Sequence, residues 1–335
     1  MSKLILSLDG GGIRGAASAH FLALIEQELQ TSVQKSLRDC VDFYAGTSTG
    51  SIIALALATT KMTINEISAL YNYDNAQEIF TENKGWFEID GINAPKYEGF
   101  GKSDVLTRHF KQTKIGDIDP DKHILVVSYD VEKRTPVMIK STKQEYLQLL
   151  SSQAADASCS APSFFPTKNM TFPPQSTEHW LIDGGVIANN PSMCALAEAR
   201  KAWPQLSFDD FKVLSIGTGF MTRKINGPAS QKWGGLQWLT QGNLIELLSD
   251  ESIVAYQCLS LMKQGNYIRV NAKLMQQQGL PNPPDDAMDD ISKTNIDKLR
   301  QLGELWFKHY GKATIALLTN SYHGPSLDRI IPKIG

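Results

Sequence analysis

The chain is poor in cysteine, in long apolar runs and in clustered charge. Its four cysteines, Cys40, Cys159, Cys194 and Cys258, lie far apart and form no CxxC pair. That argues against a disulfide framework and against a zinc site. The longest interior apolar run, residues 52–58, is too short to cross a bilayer. The N-terminal run, residues 4–8, stops at Asp9 and is too short for the apolar core of a signal peptide. Lys and Arg number 33 against 35 Asp and Glu, the formal net charge is −2, and no basic block stands out. Nucleic acid is therefore a poor partner. These absences predict a cytoplasmic protein, although export by an uncleaved signal would leave no trace in such features.

What is present points to one large folded unit. Hydrophobic residues make up 42% of the 335 and charged residues 20%, which permits a large core and speaks against disorder. A chain of this length fits a single α/β unit. Strand-like runs at 4–8, 41–45, 123–129, 135–139, 179–182 and 211–216 alternate with helical patterns at 16–29, 51–60, 64–73, 104–112, 146–158 and 192–203. Residues 81–101 read as an irregular excursion. Asn190 is placed to cap a helix with Pro191 at its first position. Such alternation predicts an α/β fold with a mostly parallel sheet covered on both faces. From about residue 226 onward the pattern turns helical, at 244–263 and 291–310, with an edge strand expected at 267–274 and a proline-rich acidic loop at 281–290. We therefore expect a core over 1–225 and a helical C-terminal extension over 226–335 packed on it, as one domain overall.

Three glycine-bearing motifs carry the chemistry. Gly46-Thr47-Ser48-Thr49-Gly50 falls between a strand and a helix, the setting of a nucleophile elbow; its plain reading is a turn that closes a crossover. Asp9-Gly10-Gly11-Gly12-Ile13-Arg14-Gly15 offers successive N–H groups that can converge on one oxygen. Arg14 can anchor that loop, bind a phosphate head group, or pair with a carboxylate such as Asp9. The same Gly10-x-Gly12-x-x-Gly15 spacing satisfies a dinucleotide fingerprint, which wants an acidic residue at the end of the next strand. Asp39 and Asp42 come too early for that, and Asp9 sets a negative charge beside the would-be pyrophosphate. Asp183-Gly184-Gly185 offers a carboxylate on a turn, though it is also an ordinary turn sequence. A surface aspartate, with a pKa of ~3.9, is a feeble base, and burial would improve it. Of the six histidines, His309 and His323 come in the right order for a hydrolase triad, but neither sits in a turn motif.

Together these residues resemble the patatin-like phospholipase family. Asp9 to Gly15 looks like its oxyanion motif and Gly46 to Gly50 like its nucleophile elbow. Ala157-Ser158-Cys159-Ser160-Ala161-Pro162, with Phe164 to Pro166, is similar to its Ala/Ser-rich segment ending in proline. Asp183-Gly184-Gly185, continuing to Asn189-Asn190-Pro191, looks like its aspartate turn. The order matches, the motifs span residues 4 to about 219, and no motif position departs from the pattern. The resemblance implies a three-layer α/β/α patatin-like fold and a Ser-Asp dyad with no histidine. Ser48 would be the nucleophile and Asp183 the base. N–H groups around Gly11, Gly12 and Arg14 would hold the oxyanion, with no metal or organic cofactor. It further implies a phospholipid or other acyl-lipid substrate of the phospholipase A or lysophospholipase kind, met at a membrane surface by peripheral contact. Some bacterial relatives are switched on by cyclic dinucleotides, so a small-molecule activator is a further expectation. Oligomeric state stays open.

A lipid substrate requires an apolar groove near Ser48, since each acyl CH₂ moved out of water is worth about 0.8 kcal/mol. Phe164, Phe165 and Phe172 are candidates for it, or for packing under a loop. Trp233, Leu236, Trp238 and Leu239 suit a lid or an interfacial anchor, or a core for the C-terminal helices. Two other classes compete with a hydrolase: a nucleotide-binding oxidoreductase resting on Gly10 to Gly15, and a non-catalytic storage or binding protein that keeps the fold.

Overall fold

The computed structural model describes residues 2–84, 94–173, 177–241 and 250–332. Eight strands form one mixed sheet: β1 (Lys3–Leu8), β2 (Phe43–Thr47), β3 (His123–Asp130), β4 (Thr135–Lys140), β5 (Lys168–Thr171), β6 (Glu178–Asp183), β7 (Phe211–Ile216) and β8 (Tyr267–Val270). The order is β5-β6-β3-β2-β1-β7-β8, with β4 also paired to β3. The centre, β3-β2-β1-β7-β8, is parallel throughout. The flank of β4, β5 and β6 is antiparallel. The expected mostly parallel sheet is thus present. β5 was not legible, because only Met170 of its four residues is buried.

The helices that position the site are α1 (Gly15–Val33), α2 (Thr49–Thr59), α3 (Gly99–Phe110), α4 (Ser151–Ser158), α5 (Ser192–Ala202), α6 (Ser252–Leu261) and α7 (Lys293–Leu318). They cover both faces of the sheet. Side chains of successive strand residues point to opposite faces. Accordingly Leu4, Leu6 and Leu8 enter one core with residues of α1, α2 and α7, while Ile5 enters the other with residues of α5 and α6. Both faces are buried, which is why the central strands read as nearly continuous apolar runs. The arrangement is the expected three-layer α/β/α architecture.

The C-terminal third is woven into this body. β8 extends the parallel sheet beside β7. α7 lies along α1, with Phe21 and Trp306 meeting edge to face at 6.4 Å. Local boundaries differ from expectation for identifiable reasons. The helix expected over 64–73 breaks into Ile64–Ala69 and Tyr73–Ile79 because Asn72 accepts from Asn75 N–H at 2.8 Å and starts a new helix. The helix expected from 146 begins at Ser151, after a 3-10 turn at Gln144–Tyr146. α7 runs past the expected end at 310. Of the helix expected over 244–263, α6 is the described part; residues 242–249, and residues 85–93 of the expected excursion, lie outside the described residues. Among the described residues no helix is long and apolar enough to cross a membrane, and all four cysteines are unpaired.

Candidate active site

β3 brings the second and third motifs together. β4 takes one of its edges from Leu125 to Asp130. The other edge is shared end to end. β2 pairs with it up to Thr47↔Val127, and β6 takes over at Asp183↔Ser128. Thr47 and Asp183 therefore face consecutive residues of one strand. Ser48, the residue after Thr47, lands beside Asp183.

Ser48 occupies the turn between β2 and α2 at φ 52° and ψ −127°. A non-glycine residue holds such a left-handed φ only where its surroundings impose it. The imposing contacts are clear. Its N–H donates to Ser158 Oγ at 2.8 Å, and that hydroxyl donates to the Val127 carbonyl at 2.6 Å. Its carbonyl accepts from Ser51 N–H at 2.8 Å and Ser51 Oγ at 2.6 Å. A Cβ on Gly50 would lie 2.2 Å from the Leu8 carbonyl oxygen, so only glycine lets the turn sit against β1. α2 starts at Thr49, and its positive N-terminal end therefore lies at the serine.

Asp183 closes β6 and is 5% exposed. The Ser48 hydroxyl lies near enough to its carboxyl to favour the charged form. Its Oδ1 accepts from Gly185 N–H at 2.7 Å, and its own N–H donates to the Ser160 carbonyl at 2.9 Å. Burial pushes the carboxyl up from 3.8 to about 6, opposed by the nearby Ser48 hydroxyl, by the Gly185 hydrogen bond and by the charge of Lys102. A carboxylate that titrates near 6 matches proton transfer at neutral pH far better than one that titrates near 4.

The loop after β1 packs on this turn: a Cβ on Gly10 would lie 3.1 Å from Ser48 Cβ. Gly10 N–H donates to the Asn189 carbonyl at 3.1 Å, and Ile13 N–H to the Met288 carbonyl at 2.9 Å. The Gly10 carbonyl accepts from Thr218 Oγ1 at 2.9 Å. Among the described residues no hydrogen bond engages the N–H of Gly11 or Gly12. Arg14 differs from the other two expected oxyanion residues. Its N–H donates to the Gly11 carbonyl at 3.2 Å and its Nε reaches the same oxygen at 3.4 Å, so in this conformation it shapes the loop. Asp9 finds a buried partner in Arg269 of β8, whose Nη1 donates to Oδ1 at 2.9 Å while Nη2 pairs with Oδ2. Arg269 also donates to Ser215 Oγ at 2.9 Å and Glu251 Oε2 at 2.8 Å. Burial raises Asp9, and the Arg269 guanidinium opposes the rise.

The geometry removes the dinucleotide reading. Asp42 pairs with Lys3 at 2.7 Å and accepts from Leu4 N–H at 2.8 Å, at the start of β1 and so at the end of the strand opposite the glycine loop. Asp39 is engaged with Ser36 at the cap of the helix Leu37–Cys40. The C-terminal end of β2 carries Ser48 instead of an acid. The histidines lie elsewhere. His179 pairs with Asp130 at 2.8 Å, His123 lies tilted against Trp203 at 4.9 Å, and His309 and His323 are exposed. Among the described residues none hydrogen-bonds Ser48 or Asp183.

The apolar candidates separate. Phe172 is buried in the main core against Tyr146, at 5.0 Å. Phe165 packs on Phe80 and Tyr97, each at 5.7 Å, and Phe164 stacks on Tyr97 at 6.4 Å. Trp233 and Trp238 meet edge to face at 5.3 Å, while Leu236 is 73% exposed, so this segment does not form a core; the Leu239 side chain lies outside the described residues. Sequence reasoning missed Lys102, Arg269 and Met288. Lys102 left a faint signal, since it shares helical spacing with the buried Val105, Leu106 and Phe110: a lysine on an apolar face.

The sequence is similar to known proteins. A family model described as patatin-like phospholipase matches residues 6–196. The chain is similar to patatin-like protein 2 of Oryza sativa subsp. indica, 29% identical over 90% of this chain and 82% of the relative. Patatin-like protein 1 of Arabidopsis thaliana is 27% identical over 90% and 80% respectively. Patatin group J-1 of Solanum tuberosum is 26% identical over 91% and 83%. Among solved structures, VipD from Legionella pneumophila aligns over 91% of this chain and 67% of its own at 13% identity, with a TM-score of 0.44, a likeness too loose to add weight.

Proposed function

The chain belongs to the patatin-like phospholipase family, a family of lipid acyl hydrolases, and from that premise we propose that it cleaves acyl esters of phospholipids or lysophospholipids through Ser48 and Asp183. Asp183 takes the Ser48 proton as Oγ attacks the acyl carbonyl carbon. The tetrahedral oxygen, now negative, is held by the N–H groups of Gly11 and Gly12. The intermediate collapses as Asp183 returns the proton to the departing lysolipid oxygen. An acyl ester stays on Ser48. Water then attacks that ester, Asp183 accepts its proton and passes it to Ser48 Oγ, and the fatty acid leaves. The observation that carries this reading is the meeting of β2 and β6 on one edge of β3, which sets the Ser48 side chain against a buried carboxylate.

Contact with a membrane surface follows from the substrate. Phe100, 61% exposed and two residues from the buried Lys102, and Leu236 beside its paired tryptophans are suited to that contact. The test is release of free fatty acid and lysolipid from mixed phospholipid vesicles, followed by mass spectrometry, for wild type and Ser48→Ala. Release by the wild type alone supports the proposal, and equal release by both removes it.

The glycine loop gives a sharper expectation. Gly12 has φ +59°, and a Cβ there would lie 2.2 Å from the Met288 carbonyl oxygen. Gly12→Ala should displace one oxyanion donor and lower kcat on the order of 10²–10³-fold. KM for a soluble ester should change little. A kcat within twofold of wild type would remove Gly12 from the hollow.

A further inference from the structure

Near Asp183 lies a charge that the hydrolytic steps leave unused. Lys102 of α3 is 3% exposed. Its ammonium donates to the Asp156 carbonyl and to Ser160 Oγ, both at 3.0 Å, and pairs with Asp156 Oδ1 at 3.0 Å. It also lies 4.6 Å from the centre of the Phe165 ring. A lysine buried in this way needs compensating charge. Asp156 already has another source: Lys168 of β5 pairs with its Oδ2, and Ser103 Oγ donates to the same oxygen at 2.6 Å. The Lys168 side chain is 31% exposed and shares its charge with solvent. Two lysines thus meet one aspartate, which leaves a surplus positive charge that acts on Asp183. Among the described residues, the charged and titratable groups that act on Lys102 or Asp183 include Asp156 and Cys159 at α4 and Lys168 from β5. Ser160 joins the two parts physically: its hydroxyl takes the Lys102 hydrogen bond, and its carbonyl holds the N–H of Asp183.

We propose that Lys102 is a positioning residue for the dyad, seating the Asp183 carboxylate at Ser48 through Ser160 and balancing its charge. The proposal rests on the reading of Ser48 and Asp183 as nucleophile and base. Its consequences have opposite signs in two variants. Lys102→Met removes a positive charge that favours the ionised carboxylate, so Asp183 binds its proton more tightly and the acidic limb of the rate profile moves to higher pH. Asp156→Asn removes the carboxylate that offsets Lys102, so the limb moves to lower pH. Each displacement should be about half to one pH unit, as expected for one nearby charge. Lys102→Arg, which keeps the charge, should return the limb toward wild type.

The experiment measures the rate of fluorophosphonate labelling and of p-nitrophenyl butyrate hydrolysis from acid to mildly alkaline pH. It uses the full chain in wild type, Lys102→Met, Lys102→Arg and Asp156→Asn, with Ser48→Ala as the control. Opposite shifts in the two charge variants support the proposal. An unmoved limb in folded, labelling variants overturns it, however slow they are. Variants that fail to fold assign the lysine to the scaffold and also count against it. Labelling that persists in Ser48→Ala overturns the underlying reading instead, a result separable from an unmoved limb.

Discussion

Alanine at position 48 should abolish covalent labelling by a fluorophosphonate and lower ester hydrolysis by a factor on the order of 10⁴–10⁶, with no loss of fold. The size follows from the role: without the hydroxyl no acyl-enzyme forms, and only binding and the oxyanion donors remain. Retention of the fold follows from the contacts. The strained turn is held by the backbone of Ser48, through Ser158 and Ser51, and the side chain takes no part in those bonds. A storage protein or an oxidoreductase on this scaffold would give an unlabelled wild type.

Asparagine at position 183 should lower turnover by about 10⁴-fold and, unusually for a buried substitution, raise stability at neutral pH. An amide cannot take the serine proton, which accounts for the rate. The stability effect comes from linkage. The folded carboxyl titrates near 6 instead of 3.8 because burial disfavours its charge. A raised carboxyl adds stability below its unfolded value and loses that contribution as pH rises through the folded value. Above about pH 6 the wild type therefore carries the full cost of the buried charge, up to about 3 kcal/mol. Asp183→Asn should melt several degrees above wild type near about pH 8, and the gap should close near about pH 4. Wild-type activity should rise with pH through about 6. His309→Ala and His323→Ala, both at exposed positions, should keep most activity. A large loss in either, with the fold intact, would restore a triad.

Several elements were legible because their signal is local. β1 and β7 are runs of apolar residues bounded by glycine, and the turn around Ser48 is marked by the glycines that steric clearance demands. β5 was hidden because one buried side chain in four makes no pattern. The break at Asn72 was hidden because a cap inside an apolar stripe looks like one more polar position. Lys102 and Arg269 were unreadable as partners. Their acids lie far off in sequence, Asp9 being 260 residues from Arg269, and nothing local tells a buried lysine or arginine from a solvated one.

The chain's local chemistry settled which groups are available: a serine and an aspartate on glycine turns, a run of glycine N–H groups, and strands greasy enough to lie inside. It could not settle where they meet. That was decided when β2 and β6 divided one edge of β3, since hydrogen-bond register sets distance between segments that share no sequence signal. The same assembly took water away from Asp183, and so made an ordinary carboxyl into one that can hold a proton near neutrality, with the Lys102 charge limiting the rise.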